Sequence, residues 1–283
     1  MGSDMRRTLS FSVDSAICAA TLDVAAGSHG LLIISGGNEI RCGAHRGMAR
    51  LAARVAEAGH PVLRFDRRGV GDSEGENLGF EHSAEDIAAA IELFRRECPQ
   101  LTHITAFGNC DAATALILHH HKGKPDALLL ANPWTIDMAV EASESDAPAL
   151  PSAEAIRARY AKKLRDPREW LRLMRGGVDL GKLWRGVRAA SASRTPSPLA
   201  ERVRQAIERI DAPVTILIAE RDATAMAFMT HWTTTIDTDR YNFRMQSIDS
   251  TSHSFADGEA RAWLEARALE ALSTSPQNDV SEL

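Results

Sequence analysis

Short apolar runs alternate with longer amphipathic segments along the first half of the chain. The apolar runs predict buried strands at residues 30–35, 61–66, 103–107 and 126–134. Apolar positions at helical spacing between them predict helices at residues 45–58, 83–97 and 112–121. Because strands and helices alternate and the strands are apolar throughout, we expect a mostly parallel sheet flanked by helices on both faces.

The alternation stops at residues 132–134 and resumes only near the end of the chain. Residues 153–190 have helical spacing without strands between them, whereas strands return from Pro213 onward and at residues 242–248, before a last helix at 257–272. We therefore predict that a helical cap is inserted between two sheet strands. The expected division is a core of residues 5–134 and 211–273, a cap of residues 135–210 and a polar tail of residues 274–283.

The composition is that of an ordinary globular protein, and it argues against several function classes. Of 283 residues, 44% are hydrophobic and 25% are charged, and the net charge of −5 does not indicate nucleic-acid binding. No apolar run reaches the roughly 18 residues of a membrane span, and the N-terminus lacks the apolar core of a signal peptide. The four cysteines form no C-x-x-C pair, which favours free thiols over a zinc or redox site. We expect a cytoplasmic protein, and the sequence does not indicate its oligomeric state.

A strand-to-turn-to-helix motif carries the main chemical signal. The strand at 103–107 runs into Gly108-Asn109-Cys110-Asp111-Ala112 and then into a helix. This order matches the G-x-S-x-G nucleophile elbow, with Cys for Ser and Ala for the last Gly, and it predicts an α/β-hydrolase fold. The turn requires small flanking residues, and the helix N-terminus favours a thiolate. The structural alternative is a buried core cysteine; we predict that Cys110 is the nucleophile.

Two later motifs supply an acid and a base. Asp222 follows a strand in the sequence AERDATA, and His253 lies in STSHSFAD between the last strand and the last helix. Each residue alone has a structural alternative, a helix N-cap for Asp222 and a structural histidine for His253. Their order along the chain, nucleophile then acid then histidine, is the order of this fold. We therefore predict that His253 serves Cys110 and that Asp222 orients His253.

The turn after the first buried strand predicts an oxyanion site. Residues 35–39 read SGGNE, and such a turn can present a backbone N–H to a developing negative charge. The predicted donors are the N–H of Gly37 or Asn38 and, from the elbow, the N–H of Asp111. The alternative is a plain tight turn.

Several stretches together resemble a known bacterial family. Residues 64–76, RFDRRGVGDSEGE, are similar to the D-x-R-G-x-G-x-S stretch of many α/β-hydrolases, and we interpret them as structural, with a smaller expectation that they line the pocket. With SGGNEIRCGAHR, the G-N-C-D-A-A elbow, LLLANPW and YAKKLRDPREWLRLMRGGVDL, the chain resembles the exosortase-A-system-associated hydrolases, type 1. The resemblance implies a role near exopolysaccharide and protein-sorting gene clusters. One departure is Arg67-Arg68, where an aromatic residue often takes one position.

These residues predict hydrolysis of an acyl ester or thioester through a covalent acyl-enzyme, without a metal or an organic cofactor. Two alternatives stay open: an acyltransferase with an acceptor other than water, and a catalytically silent binding protein of the same fold. Residues 157–188 hold eleven Lys and Arg against three acidic residues. This basic segment is either a solvated helix face or a surface for an anionic partner, namely a phosphorylated acyl carrier, an acidic glycan or a lipid headgroup. The acyl substrate itself is expected to be a small molecule or carrier-bound.

Overall fold

One sheet of eight strands organises the computed structural model, which describes residues 6–136, 197–235 and 243–273. Most of the expected cap, residues 137–196, and the expected polar tail lie outside these residues. The strands are β1 (Arg6–Val13), β2 (Ala16–Asp23), β3 (His29–Ile34), β4 (Val62–Phe65), β5 (His103–Asn109), β6 (Ala127–Ala131), β7 (Val214–Ala219) and β8 (Phe243–Ile248). Their order across the sheet is β1-β2-β4-β3-β5-β6-β7-β8.

The sheet is mostly parallel, as the apolar runs predict. Strands β3 to β8 all pair in parallel, and the antiparallel hairpin of β1 and β2 extends the sheet beyond β4. The sequence pattern does not predict this hairpin. Strand β1 is exposed over its first residues and alternates buried and exposed positions towards Val13. It therefore lacks the continuous apolar run that marks the central strands.

Helices cover both faces of the sheet, and the strand periodicity of two assigns each side chain to a face. The helices are α1 (Gly47–Glu57), α2 (Ala84–Glu97), α3 (Asp111–Gly123), α4 (Pro198–Ile207), α5 (Ala223–Thr235) and α6 (Gly258–Ser273). Leu31 and Ile33 of β3 join the core beneath α1 and α6, whereas Leu32 and Ile34 join the core beneath α2 to α5. The predicted flanked α/β architecture is confirmed. None of the helices built from the described residues is long and apolar enough to cross a membrane.

The described end of the expected cap packs against the sheet domain. Helix α4 begins at Pro198 with Ser197 as its N-cap, whose side chain accepts a hydrogen bond from the Ala200 N–H at 3.0 Å. Its buried residues Leu199, Val203 and Ile207 belong to the core that also contains α3. This apolar face explains why α4 lies on the domain rather than apart from it.

The loop after β4 is built around a fully buried carboxylate. Asp66 accepts hydrogen bonds from the backbone N–H of Arg41 at 2.5 Å and of Asp72 at 3.1 Å, and it pairs with the Arg41 guanidinium. A Cβ at Gly71 would stand 2.4 Å from the Asp66 carboxylate, so this position requires glycine. The D-x-R-G-x-G-x-S stretch therefore joins two loops at the carboxyl edge of the sheet.

Candidate active site

The predicted nucleophile lies at a strained turn between β5 and α3. Cys110 has φ 61° and ψ −126°, a backbone conformation that residues with a side chain rarely adopt. Such strain costs on the order of 1–3 kcal/mol and concentrates at functional sites. A Cβ at Gly108 would lie 2.6 Å from the Ala112 carbonyl carbon, so glycine is required where the helix turns back over the strand. The elbow predicted from the sequence is present.

His253 connects Cys110 with Asp222. Its Nδ1 lies 3.0 Å from the Asp222 Oδ2, and its side chain is 41% exposed whereas that of Asp222 is 8% exposed. Two hydrogen bonds, the larger contribution from Asp222 and the smaller from Cys110, raise the pKa of His253 to about 10. Desolvation by burial acts in the opposite direction. The imidazole is therefore protonated at neutral pH and can donate a hydrogen bond to the Asp222 carboxylate.

Asp222 makes two contacts, one for each interpretation that the sequence left open. Its Oδ2 accepts a hydrogen bond from the Ala225 N–H at 3.0 Å and so caps helix α5, while the same oxygen faces His253. The helix cap holds the carboxylate in place, and the carboxylate holds the imidazole ring. A residue that caps a helix can thus also orient a histidine.

Two carboxamides hold the backbone of the histidine loop. The His253 carbonyl accepts hydrogen bonds from Asn109 Nδ2 at 3.1 Å and from Asn132 Nδ2 at 3.4 Å. Asn132 is fully buried, has φ 42°, and accepts a hydrogen bond from the Ala219 N–H at 2.9 Å. The sequence analysis missed both residues, although Asn109 precedes the nucleophile directly.

The predicted oxyanion residues lie together, but one donor already has a partner. The Gly37 N–H donates to Asp111 Oδ1 at 2.6 Å, and the Gly37 carbonyl accepts from Arg67 Nη2 at 2.6 Å. The side chain of Asn38, the other predicted donor residue, accepts a hydrogen bond from Asn77. A Cβ at Gly36 would lie 2.6 Å from Asp111 Oδ1, so the turn after β3 rests directly on the elbow.

A cleft of about 420 Å³ opens beside Cys110 and the predicted oxyanion residues, and its described lining does not include His253 or Asp222. Its described lining includes Cys110, Gly37, Asp111, Arg67, Trp134 and the segment of residues 77–82. Leu78 in that segment is 54% exposed and contributes an apolar side chain to the wall of the cleft. The volume lies within the range of small-molecule sites. Arg67 extends into this lining from the motif after β4.

The other cysteines differ from Cys110 in their surroundings. Cys18 and Cys98 are buried, and desolvation raises the pKa of both thiols. Cys42 is half-buried and does not belong to the described lining of the cleft. Among the described residues, Cys110 lies beside His253, which also hydrogen-bonds to the Asp222 carboxylate.

Several solved structures have the same fold as this chain. Esterase Pf2001 from Pyrococcus furiosus superposes with a TM-score of 0.61 at 14% identity, covering 94% of this chain and 88% of that one. DcsB in complex with its substrate analogue gives 0.62 at 14% identity, covering 94% and 98%. Dienelactone hydrolase from Anabaena variabilis gives 0.58 at 13% identity, covering 94% and 95%. At these identities the likeness concerns the fold alone.

The chain also matches a protein family at the level of sequence. Among curated proteins, none matches the chain significantly. The model of the alpha/beta hydrolase family matches residues 31–267, which include the elbow, Asp222 and His253. The chain therefore belongs to the alpha/beta hydrolase family and is a hydrolase.

Proposed function

We propose that the protein hydrolyses an acyl ester or thioester, with Cys110 as nucleophile, His253 as base and acid, and Asp222 as the residue that orients His253. The observation that supports this most is the position of His253, which hydrogen-bonds to both of the others. The strained backbone of Cys110 supports the same assignment. Apolar Leu78 and Trp134 in the cleft suit an acyl group.

The chemistry requires two steps. In the first, the Cys110 thiolate attacks the acyl carbon and forms a carbon–sulfur bond. The bond to the leaving group then breaks, and the leaving group takes a proton from His253. In the second step water, losing a proton to His253, attacks the acyl-enzyme, and the carbon–sulfur bond breaks to release the acid and restore the ion pair. The backbone N–H groups of Gly37 and Asp111 are the proposed donors to the oxyanion in both steps.

The test is intact-mass analysis after incubation with a panel of activated esters and acyl thioesters. The wild type should gain one acyl group, which peptide mapping should assign to Cys110. Cys110→Ala should gain none, whereas Cys42→Ala removes the other thiol that is not fully buried and should behave as the wild type. An adduct on Cys42, or substrate turnover by Cys110→Ala, would contradict the assignment.

Two finer proposals concern the acyl acceptor and the substrate. The same acyl-enzyme can react with an alcohol or amine, so product analysis with added acceptors separates acyl transfer from hydrolysis. From the resemblance to exosortase-A-system-associated hydrolases, type 1, we propose a cytoplasmic role in such a system.

The basic segment of residues 157–188 lies outside the described residues. If it attracts an anionic carrier, reversing Arg172 and Arg175 to Glu should raise KM for a carrier-bound thioester only, and less at high salt.

A further inference from the structure

The carboxylate of Asp111 holds a backbone donor that the proposed reaction needs. Asp111 Oδ1 accepts the Gly37 N–H at 2.6 Å, at the turn that rests on the elbow. An oxyanion bound by that N–H would lie at a hydrogen-bond distance of about 3 Å from it, in the space that the carboxylate fills. Two negative oxygens so close also repel each other strongly. The carboxylate must therefore leave Gly37 before the acyl carbon is attacked.

Arg67 is the cation beside this carboxylate. Arg67 Nη2 lies 3.7 Å from Asp111 Oδ2, which is too long for a hydrogen bond but close enough for attraction. The guanidinium is 5% exposed and is held at one end by its hydrogen bond to the Gly37 carbonyl. Its Nη1 is buried and has no hydrogen-bond partner among the described residues. A buried donor without a partner is costly, and a carboxylate is the acceptor that a guanidinium prefers.

We infer that Arg67 is a positioning residue that takes the Asp111 carboxylate from the Gly37 N–H when the substrate carbonyl enters, and so opens the oxyanion site. The inference rests on the proposed function, because it assumes an oxyanion at Gly37. The exchange requires only a small movement, since the carboxylate already lies between its two partners. It also pairs the carboxylate's charge at the moment when negative charge develops on the substrate.

The alternative is a static role, in which Arg67 and Asp111 only hold the Gly37 turn in shape. A static role predicts that losing either side chain harms the site, and that losing both is no better. The exchange predicts the opposite for the pair. Arg67→Gln leaves the carboxylate on Gly37 and blocks the site, whereas Asp111→Ala removes the obstacle and retains the backbone N–H of residue 111.

The experiment compares two reactions of the same thiol in the four proteins of a double-mutant cycle. Acylation by p-nitrophenyl acetate passes through an oxyanion, whereas alkylation by iodoacetamide does not. Arg67→Gln should lower the acylation rate by about 100-fold, the lower end of the range for loss of one oxyanion donor. Alkylation of Cys110 should change less than about twofold. Adding Asp111→Ala to Arg67→Gln should raise the acylation rate again. Arg67→Lys, a point charge without the planar fork, should lie between wild type and Arg67→Gln.

The outcomes distinguish this inference from the proposed function. The exchange would be overturned if Arg67→Gln were acylated at the wild-type rate, or if the double variant were acylated no faster than Arg67→Gln. Either result would leave Cys110 as the proposed nucleophile. A wild type that is neither acylated nor alkylated at Cys110 would overturn the proposed function, and the inference with it. Denaturation midpoints identify a variant that does not fold. If Arg67→Gln fails to fold, the same comparison is made with Arg67→Lys, where rescue by Asp111→Ala is again required.

Discussion

Replacing Asn132 by alanine should lower both the stability of the domain and the acylation rate. Asn132 follows β6, and its side chain reaches the end of β7 through the Ala219 N–H and the histidine loop through the His253 carbonyl. It is fully buried and adopts φ 42°. Asn tolerates this left-handed region better than alanine does, because its side chain can hydrogen-bond locally.

The expected loss of stability has two contributions, one from a hydrogen bond and one from the backbone conformation. Alanine leaves the buried Ala219 N–H without its 2.9 Å partner, which costs about 1–3 kcal/mol. The left-handed backbone adds about 1 kcal/mol for a residue without a polar side chain. The hydrogen bond to the His253 carbonyl, at 3.4 Å, is long and adds little. The unfolding free energy of Asn132→Ala should therefore fall by about 2–4 kcal/mol.

Urea denaturation followed by circular dichroism measures this as a lower midpoint at constant slope. Asn132→Gly serves as the matched control, because glycine adopts φ 42° without strain and should recover roughly 1 kcal/mol of the loss. Asn109→Ala removes the shorter bond to the His253 carbonyl and leaves Ala219 paired, so it should lower the acylation rate with a smaller loss of stability. If Asn132→Ala were as stable as the wild type, the predicted contribution of the Asn132 side chain would be refuted. If Asn132→Ala and Asn132→Gly had the same unfolding free energy, the contribution of backbone strain would be refuted.

Two further predictions concern the same edge of the sheet. Hydrogen bonding, chiefly to Asp222, raises the pKa of His253 to about 10 in the folded protein. The protonated imidazole therefore stabilises the folded state fully below the ordinary pKa of 6.5, and this stabilisation is lost as the pH rises through about 10. The difference in unfolding free energy between wild type and His253→Gln should shrink across that window, and a constant difference would contradict it. Gly108→Ala, whose Cβ would lie 2.6 Å from the Ala112 backbone, should lose about 1–3 kcal/mol and slow alkylation of the nucleophile. Gly47→Ala is the control, because nothing lies within 4 Å of the added carbon, and it should lose neither stability nor alkylation rate. Similar losses in Gly108→Ala and Gly47→Ala would refute the steric argument.

Much of the parallel half of the fold was predictable because its strands are buried on both faces. Such strands are continuous apolar runs, and the amphipathic helices between them have a clear period of 3.6. Strand β6 was predicted to run to residue 134 but ends at Ala131, where Asn132 turns out of the strand. The N-terminal hairpin lacks a continuous apolar run and was not predicted.

Local motifs within a few residues were also predictable, whereas the particular side-chain contacts of Asp111, Arg67 and Asn132 were not. The small residues around Cys110 indicated the elbow because a strand-to-helix turn constrains its own neighbours. Gly37 and Asp111 are 74 residues apart, and Asn132 and His253 are 121 apart. Which of these side chains meet depends on the strand order and register, since only a packed parallel sheet brings the ends of its strands to one edge. The sequence by itself determined most of the parallel strands, the helices between them, and the order of Cys110, Asp222 and His253 along the chain. The tertiary structure alone decided that Asp111 lies on Gly37, that Arg67 faces Asp111 and that two asparagines hold the histidine loop.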